Sequence, residues 1–528
     1  MKNINNNKQL EDILEDVEND EICDENEDAT VADKYVQIAT DAGIKLFHDQ
    51  YRSAFARLPD QQKSIVKVES RNFAQWLAHQ VSTTMHKAAQ RNALSTAQLL
   101  LSGRAIYDSP EHKLEVRIAN RDGIIWIDLG NGRAVRADKS SWQIVDDVPI
   151  IFRSYSHQRP QTDPVRGGNV KELLDFLNIP GEQDKLTPDQ ILFIAWTVFA
   201  LVPDYPHPIL TLHGPHGSAK TTAFKILKHL IDPSSLETMA MLQDRREFIQ
   251  QAAHHYLVAF DNLTNVSSET SDLLCRLVTG EGYSKRELYT DDDDVIYELH
   301  RAVGLNGINI GATKADLLDR SLLIGFKRLN KGYVSNKNFW SKFLEAKPRI
   351  LGSLLDVLVG TLRIIDDIPE PGELRMADFG QYGCATAEAM GLTADDFLNA
   401  YRMKIREQNN EAIAAHIIAP AIIQLMELQN EWSGTATQLF EQLEAAAAYL
   451  KIDTKSKYWP KDPNWLGKRI KEVLPNLEEV GIIIKWNDYG QRNITIIKAS
   501  ENAANAVNTA EQNGTNGING IFDSLPPL

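Results

Sequence analysis

The residues best equipped for chemistry lie in one stretch near the middle of the chain, residues 210–222, LTLHGPHGSAKTT. An apolar run (Pro208, Ile209, Leu210, Leu212) stops at Gly214, and a loop leads to Lys220, Thr221 and Thr222. A helical spacing of Phe224, Ile226, Leu227, Leu230 and Ile231 follows. Strand, tight loop and helix N-terminus together aim successive backbone N–H groups at one point, which makes a socket for phosphate oxygens. Gly214, Gly217, Ser218, Ala219, Lys220, Thr221 and Thr222 are the candidate ATP-binding residues. Lys220 would reach the β- and γ-phosphates, and the Thr221 hydroxyl would hold Mg²⁺. The strict pattern has glycine where Ala219 stands; a methyl group is accommodated there if φ is negative.

Three further segments follow in an order that suits the same site. Tyr256-Leu257-Val258-Ala259-Phe260-Asp261-Asn262 reads as a buried strand ending in a carboxylate, and Asp261 is the second candidate Mg²⁺ residue. Asn262 occupies the place where a second acid often orients the attacking water. An amide can position water but is a poor proton acceptor, so the base is Glu269, Asp272 or Glu281, or Asn262 acts without classical base catalysis. Residues 302–309 form another core-strand pattern, with Asn306 preferred over Asn309 as a polar tip facing water or γ-phosphate. Arg320 follows Asp316-Leu317-Leu318-Asp319, just before the apolar run 322–326. In a ring of subunits an arginine there can neutralise transition-state charge on a neighbour's nucleotide. Between Asp261 and Asn306, residues 285–299 read as a hairpin with an acidic tip, Asp291 to Asp294; Lys285 and Arg286 at its start are candidate DNA contacts.

The elements around these residues suggest several domains in 528 residues. Residues 1–30, Asn-rich and then acidic, carry eleven Asp and Glu against two Lys, and read as a disordered tail. Residues 31–155 read as an N-terminal α+β domain whose β part (113–155) is locally basic through Arg117, Arg121, Arg133, Arg136, Lys139, Arg153 and Arg159. Solvated β faces are the plain reading of that charge; a DNA-contacting or oligomer-forming collar is the other. Residues 156–204 are a Pro/Gly-rich linker and helical collar, 205–330 the α/β ATPase core, 331–432 a helical domain, and 499–528 a second disordered tail. Net charge is −16, of which the first thirty residues supply −9; the sum argues against a general nucleic-acid binder, but local charge decides. No stretch is long and apolar enough for a membrane, and the acidic start lacks a secretory pattern. Cys23, Cys275 and Cys384 are too scattered for a disulfide scaffold or metal knuckle. A cytoplasmic location is expected.

Residues 433–498 carry a second signal. Leu439, Leu443 and Ala447 mark one helix, Leu466, Ile470 and Leu474 another, and 482–497 a hairpin around Asn487–Gly490. This reads as a winged-helix domain, with Lys468, Arg469 and Lys471 directed at DNA and Lys485 and Arg492 on the wing. A protein-binding winged helix is the alternative.

In order, GPHGSAKT, YLVAFDN, RELYTDDDDVIYEL, VGLNGIN and DLLDRS resemble the superfamily 3 helicase core, an AAA+ P-loop ATPase, most closely the D5-like or primase-associated ATPases of phages and mobile elements. The resemblance implies a hexameric homo-oligomer, ATP hydrolysis between subunits with Lys220 and Thr221 as the Walker A pair, Asp261 as the Walker B acid, Asn306 as sensor and Arg320 as finger. It also implies translocation on single-stranded or forked DNA by the 285–299 hairpin, with a separate primase or polymerase as partner. Ala219, Asn262 and the tetra-aspartate tip depart from the pattern. A nucleotide-gated DNA scaffold or regulator that does not unwind is the competing expectation.

Overall fold

The computed structural model describes residues 30–59, 64–182, 185–242, 244–263, 266–280, 283–286, 294–297, 299–307, 315–328, 335–372, 374–487 and 493–499. It divides into two units, Met1–Lys113 and Leu114–Leu528. In the first, α1 (Val31–Asp41) starts at Thr30, whose hydroxyl accepts from the Asp33 N–H while the Asp33 carboxylate accepts from the Thr30 N–H. Strands β1 (Lys45–His48), β2 (Ala54–Arg57) and β3 (Ile65–Lys67) pair antiparallel in that order. Helices α2 (Arg71–Met85) and α3 (Arg91–Tyr107) complete a core around Tyr35, Phe73, Leu77 and Leu101.

The second unit begins with a β-module: β4 (Leu114–Glu115), β5 (Ile118–Arg121), β6 (Ile124–Asp128), β7 (Ala134–Ala137), β8 (Trp142–Val145) and β9 (Ile151–Phe152). The unit boundary thus falls inside the segment 31–155 that the sequence reads as one domain. The reason is local. Arg117 is 1% exposed, and its guanidinium donates to Asp232 Oδ1 (3.2 Å), Asp128 O (3.2 Å), Arg159 O (3.1 Å) and Pro233 O (3.1 Å). Arg117 is therefore not part of a solvated basic face; it ties the β-module to the segment that follows residue 231. Trp142 adds a second tie, its indole N–H donating to Asp356 at 2.7 Å. The Pro/Gly-rich stretch 156–168 is likewise pinned: the Gln161 amide donates to Leu230 O, and the Val165 N–H to Pro348 O.

Helix α4 (Pro188–Phe199) is apolar on all sides and buried from Gln190 to Phe199, and it precedes strand β10 (Ile209–His213). Then come α5 (Lys220–Ile231), α6 (Arg245–Ala253), β11 (Leu257–Leu263), α7 (Ser268–Thr279), β12 (Tyr283–Arg286), β13 (Asp294–Tyr297), β14 (Ala302–Gly307), α8 (Ala315–Leu318) and β15 (Ser321–Gly325). Strands β11, β14, β10 and β15 lie side by side in that order, all parallel and buried, as their near-continuous apolar runs require. In such a sheet, ligands bind beyond the carboxyl ends of the strands, where the strand order reverses. That place is the end of β10, where its two neighbours come from later in the chain. β12 and β13 pair as an antiparallel hairpin; its tip, residues 287–293, lies outside the described residues.

Helices α9 (Asn336–Ile364), α10 (Ala377–Ala389), α11 (Ala394–Ala415) and α12 (Ala419–Glu427) fill the helical region. The last part contains β16 (Glu431–Thr435), α13 (Ala436–Tyr449), α14 (Pro463–Glu479), β17 (Ile482–Asn487) and β18 (Asn493–Lys498), the strands pairing antiparallel in the order β16, β18, β17. Two helices and a hairpin appear as the sequence suggests, and β16 adds a third strand. The tails 1–29 and 500–528 lie outside the described residues. Among the described residues, no helix is long and apolar enough to cross a membrane.

Candidate nucleotide site

The loop after β10 is built by close approach. Gly214 has φ +139°, and a Cβ there would meet the Phe326 carbonyl oxygen at 2.2 Å, so a side chain is excluded on both counts. At the far end of the loop Ala219 has φ +66°, ψ +24°. The expectation of negative φ fails at this residue: the turn into α5 keeps the left-handed geometry a glycine would supply, and the methyl group is carried at some strain. The first bond of α5 runs from the Ala223 N–H to Ala219 O. The N–H groups of Lys220, Thr221 and Thr222 precede it and have no partner within the helix, which leaves them to a ligand or solvent.

Lys220 is 8% exposed, and its ammonium donates to Gly214 O (2.8 Å), Pro215 O (3.0 Å) and the Ser218 hydroxyl (3.1 Å). Burial lowers its pKa from the usual lysine value, while Asp261 opposes that shift. Across the loop, the Thr221 hydroxyl donates to Asp261 Oδ1 at 3.1 Å. The Asn306 amide donates to the same carboxylate oxygen at 2.6 Å and to Thr221 Oγ1 at 3.3 Å. Parallel pairing causes the meeting, because Asn306 stands opposite Leu212 near the end of β10 and β11 runs alongside β14. Thr221, Asp261 and Asn306, far apart in sequence, thus share one hydrogen-bonded cluster beside Lys220.

Asn262 follows Asp261 on the same strand. It is exposed, has φ +59°, and sits where the β11–β14 register shifts between Phe260 and Leu263. Asparagine tolerates left-handed backbone better than most residues, so the bulge itself accounts for this residue type. Glu269 and Asp272 are exposed on α7, and Glu281 and Asn309 lie outside the described residues.

Arg320 is placed at the other end of the sheet. Ser321, the next residue, pairs with Ile209, whereas the phosphate loop starts after His213. The intervening four strand steps span roughly 13 Å. The Arg320 guanidinium bonds the Asp316 carboxylate and donates to Asp316 O at 3.1 Å. Burial pulls its pKa down, and the Asp316 bond outweighs that and raises it. Asp316 also accepts from Arg375 (2.6 Å), which reaches Asp319 as well. The four-residue spacing of Asp316 and Arg320 was a readable signal for that partner; nothing local in sequence announces Arg375.

Of the candidate DNA residues, Lys468, Lys471 and Lys485 are exposed, while Arg469 donates to Glu472 at 2.8 Å. Lys285 and Arg286 lie in β12, paired opposite Val295 and Asp294, and Arg492 lies outside the described residues.

Residues 176–411 match the family described as actinomycete integrative conjugative element replication protein, and residues 418–511 match the C-terminal domain of the same replication protein. The chain is similar to a mobile-element replication protein. The first match takes in every residue of the nucleotide cluster together with Arg320, and the second takes in α12 to β18. No curated protein matches the chain. Among solved structures it is similar to the apo C-terminal region of NrS-1, at 12% identity over 90% of this chain and 100% of that one, with a TM-score of 0.40. It is also similar to the SCCmec type IV Cch active helicase, at 12% identity over 86% of this chain and 93% of that one, with a TM-score of 0.46.

The residues gathered here fit a magnesium nucleotide. Mg²⁺ takes hard oxygen ligands, commonly one or two from protein plus phosphate and water. Thr221 Oγ1 and Asp261 Oδ1 are two such oxygens 3.1 Å apart. Among the described residues no three His, Cys, Asp or Glu converge on one point.

Proposed function

We propose that this replication protein is an ATP-driven DNA helicase or translocase of a mobile element, working as a ring, most simply a hexamer. ATP and Mg²⁺ are held by one subunit, and Arg320 is supplied by the next. The observation that carries this reading is the Thr221–Asp261–Asn306 cluster beside a buried Lys220 at the carboxyl end of β10. In it, Lys220 exchanges its loop carbonyls for phosphate oxygens, Thr221 and Asp261 hold Mg²⁺, and Asn306 fixes the carboxylate and faces the γ-phosphate side. The superfamily 3 core, the winged-helix C-terminal domain, forked or single-stranded DNA as substrate, and a separate primase or polymerase partner belong to the same proposal.

The test is DNA-stimulated ATP hydrolysis and strand displacement by the full chain. Lys220→Ala should reduce turnover to background, because the phosphate charge loses its only lysine in the loop. Turnover without displacement on forks of either polarity would remove the helicase and leave an ATPase. One observation favours the competing scaffold: Asn262 is an exposed bulge residue, and no second carboxylate joins Asp261 in the cluster among the described residues. ATP-dependent DNA binding with negligible hydrolysis would decide for that reading.

A further inference from the structure

The chain is acidic overall, yet residues 451–471 contain seven basic and two acidic residues, a net of +5 against −16 for the whole. This segment runs from the end of α13 through a connection into the first turns of α14, so the topology brings it to one end of the C-terminal module. Its aromatic residues divide sharply. Trp459 is 4% exposed and belongs to the core with Leu439, Leu443 and Leu466, whereas Tyr449 is 75%, Tyr458 54% and Trp465 49% exposed. Two of the exposed rings each carry a lysine. The Lys457 ammonium stands 4.9 Å from the Tyr458 ring centroid, and the Lys468 ammonium 5.4 Å from that of Trp465. The Trp465 position is fixed, because Asp462 caps α14 by accepting from the Asn464 and Trp465 N–H groups.

A helix that only lay in a duplex groove would need polar side chains toward base edges and cations toward phosphates. It would have no use for two large exposed rings beside lysines. Unpaired bases would, because every base has a face that stacks on an aromatic ring, while the adjacent phosphate needs a cation. The acidic remainder of the chain also makes a polyanion selective for this end. We propose that Tyr458 and Trp465, with Lys457 and Lys468, form a binding surface for single-stranded DNA. This surface stacks unpaired bases and is separate from the nucleotide site. It deepens the proposed function by naming the form of DNA the C-terminal module receives, and it rests on that reading only for its biological use.

The experiment is fluorescence anisotropy of the full chain, without nucleotide, on a labelled oligothymidine and on a duplex of equal length. Binding should favour the single strand. Trp465→Ala and Tyr458→Ala should each weaken it roughly ten-fold or more, while Trp465→Phe and Tyr458→Phe keep most of it. Lys457→Gln with Lys468→Gln should lower the slope of log affinity against log salt by about 1.4. Unchanged affinity in both alanine variants, or a duplex bound as tightly and weakened as much, would overturn the proposal; a surface that bound only protein would give the first of these results. A chain that binds oligothymidine through these rings but hydrolyses no ATP keeps this surface and discards the motor. A chain that hydrolyses ATP but ignores the ring substitutions does the reverse.

Discussion

Ala219 shows how a single atom group separates pattern from geometry. The sequence made the loop legible through Gly214, Gly217, Lys220 and Thr221, because those residue types are needed wherever backbone N–H groups wrap a phosphate. It could not give φ at Ala219, since alanine is ordinary in every other conformation. The chain places it at +66°, where a Cβ crowds the following carbonyl. We therefore expect Ala219→Gly to raise stability by about 1 kcal/mol, the relief of left-handed strain exceeding the added freedom of the unfolded glycine. Denaturant midpoints of the two proteins at equal slope measure this, and a lower midpoint for the glycine variant would contradict it. Asn262 gives the converse lesson. Its neighbour Asp261 suggests a catalytic role, and the structure adds a backbone reason for the residue type: a bulge at positive φ, which asparagine tolerates better than most residues.

At the scale of elements, the strands of the parallel sheet were visible as apolar runs, and the antiparallel hairpin over 482–498 was visible from its turn. What was hidden is the charged staple between elements. Asp232, at the end of α5, is fully buried. Its Oδ2 accepts from Lys228 Nζ (2.6 Å) and from the Tyr256 and Leu257 N–H groups, and its Oδ1 from Arg117 (3.2 Å). Burial pushes the Asp232 carboxyl up, yet Lys228 and Arg117 outweigh it and hold it well below the usual carboxylate range. No sequence period marks such a residue, since an Arg in a β segment looks solvated until its partner arrives from 115 residues away. Asp232→Asn leaves Lys228 a buried cation without its carboxylate and leaves Arg117 only the more distant Asp128 carboxylate (3.9 Å), and should cost about 3–5 kcal/mol; thermal melting and urea titration report it, and a change under 1 kcal/mol would show that the pair carries little. His207 belongs to this scale too, joining the end of α4 to the start of β10. Its Nε2 bonds Phe199 O (3.1 Å) and Val202 O (3.0 Å), and burial takes its pKa down to about 4. Because the folded value lies below the unfolded one, near 6.5, the neutral ring stabilises the fold fully above pH 6.5, and that contribution is lost as pH falls toward 4. The loss should reach about 3 kcal/mol at the acid end. His207→Gln should flatten the stability slope between pH 6.5 and 5, and an unchanged slope would assign the acid sensitivity elsewhere.

At the scale of the whole molecule, Arg320 and the phosphate loop lie at opposite ends of one parallel sheet. In the proposed ring this arrangement would let a single subunit be donor on one side and acceptor on the other. Within one chain Arg320 stands away from the candidate phosphate loop: Ser321 is in register with Ile209 and the loop begins only after His213. Arg320 and Arg375 both pair with Asp316 in a compact ion cluster, so that in the proposed ring a neighbour's γ-phosphate would have to compete with that carboxylate for the Arg320 guanidinium. Arg320→Ala should therefore keep nucleotide binding and lose about 10³-fold or more in turnover. In the proposed ring, Lys220→Ala subunits retain Arg320 but should not handle phosphate, so neither variant should work alone. Mixed, they should restore turnover at the interfaces where an intact loop faces an intact arginine, in proportion to the frequency of such pairs. Arg320→Lys separates chemistry from scaffolding, since a lysine keeps the charge toward Asp316 but lacks the planar fork that spans two phosphate oxygens. It should melt like the parent and remain slow. If mixing restores nothing at any ratio while both variants assemble like the parent, Arg320 serves only the ion cluster with Asp316 and Arg375, and the catalytic contact between subunits must be sought elsewhere.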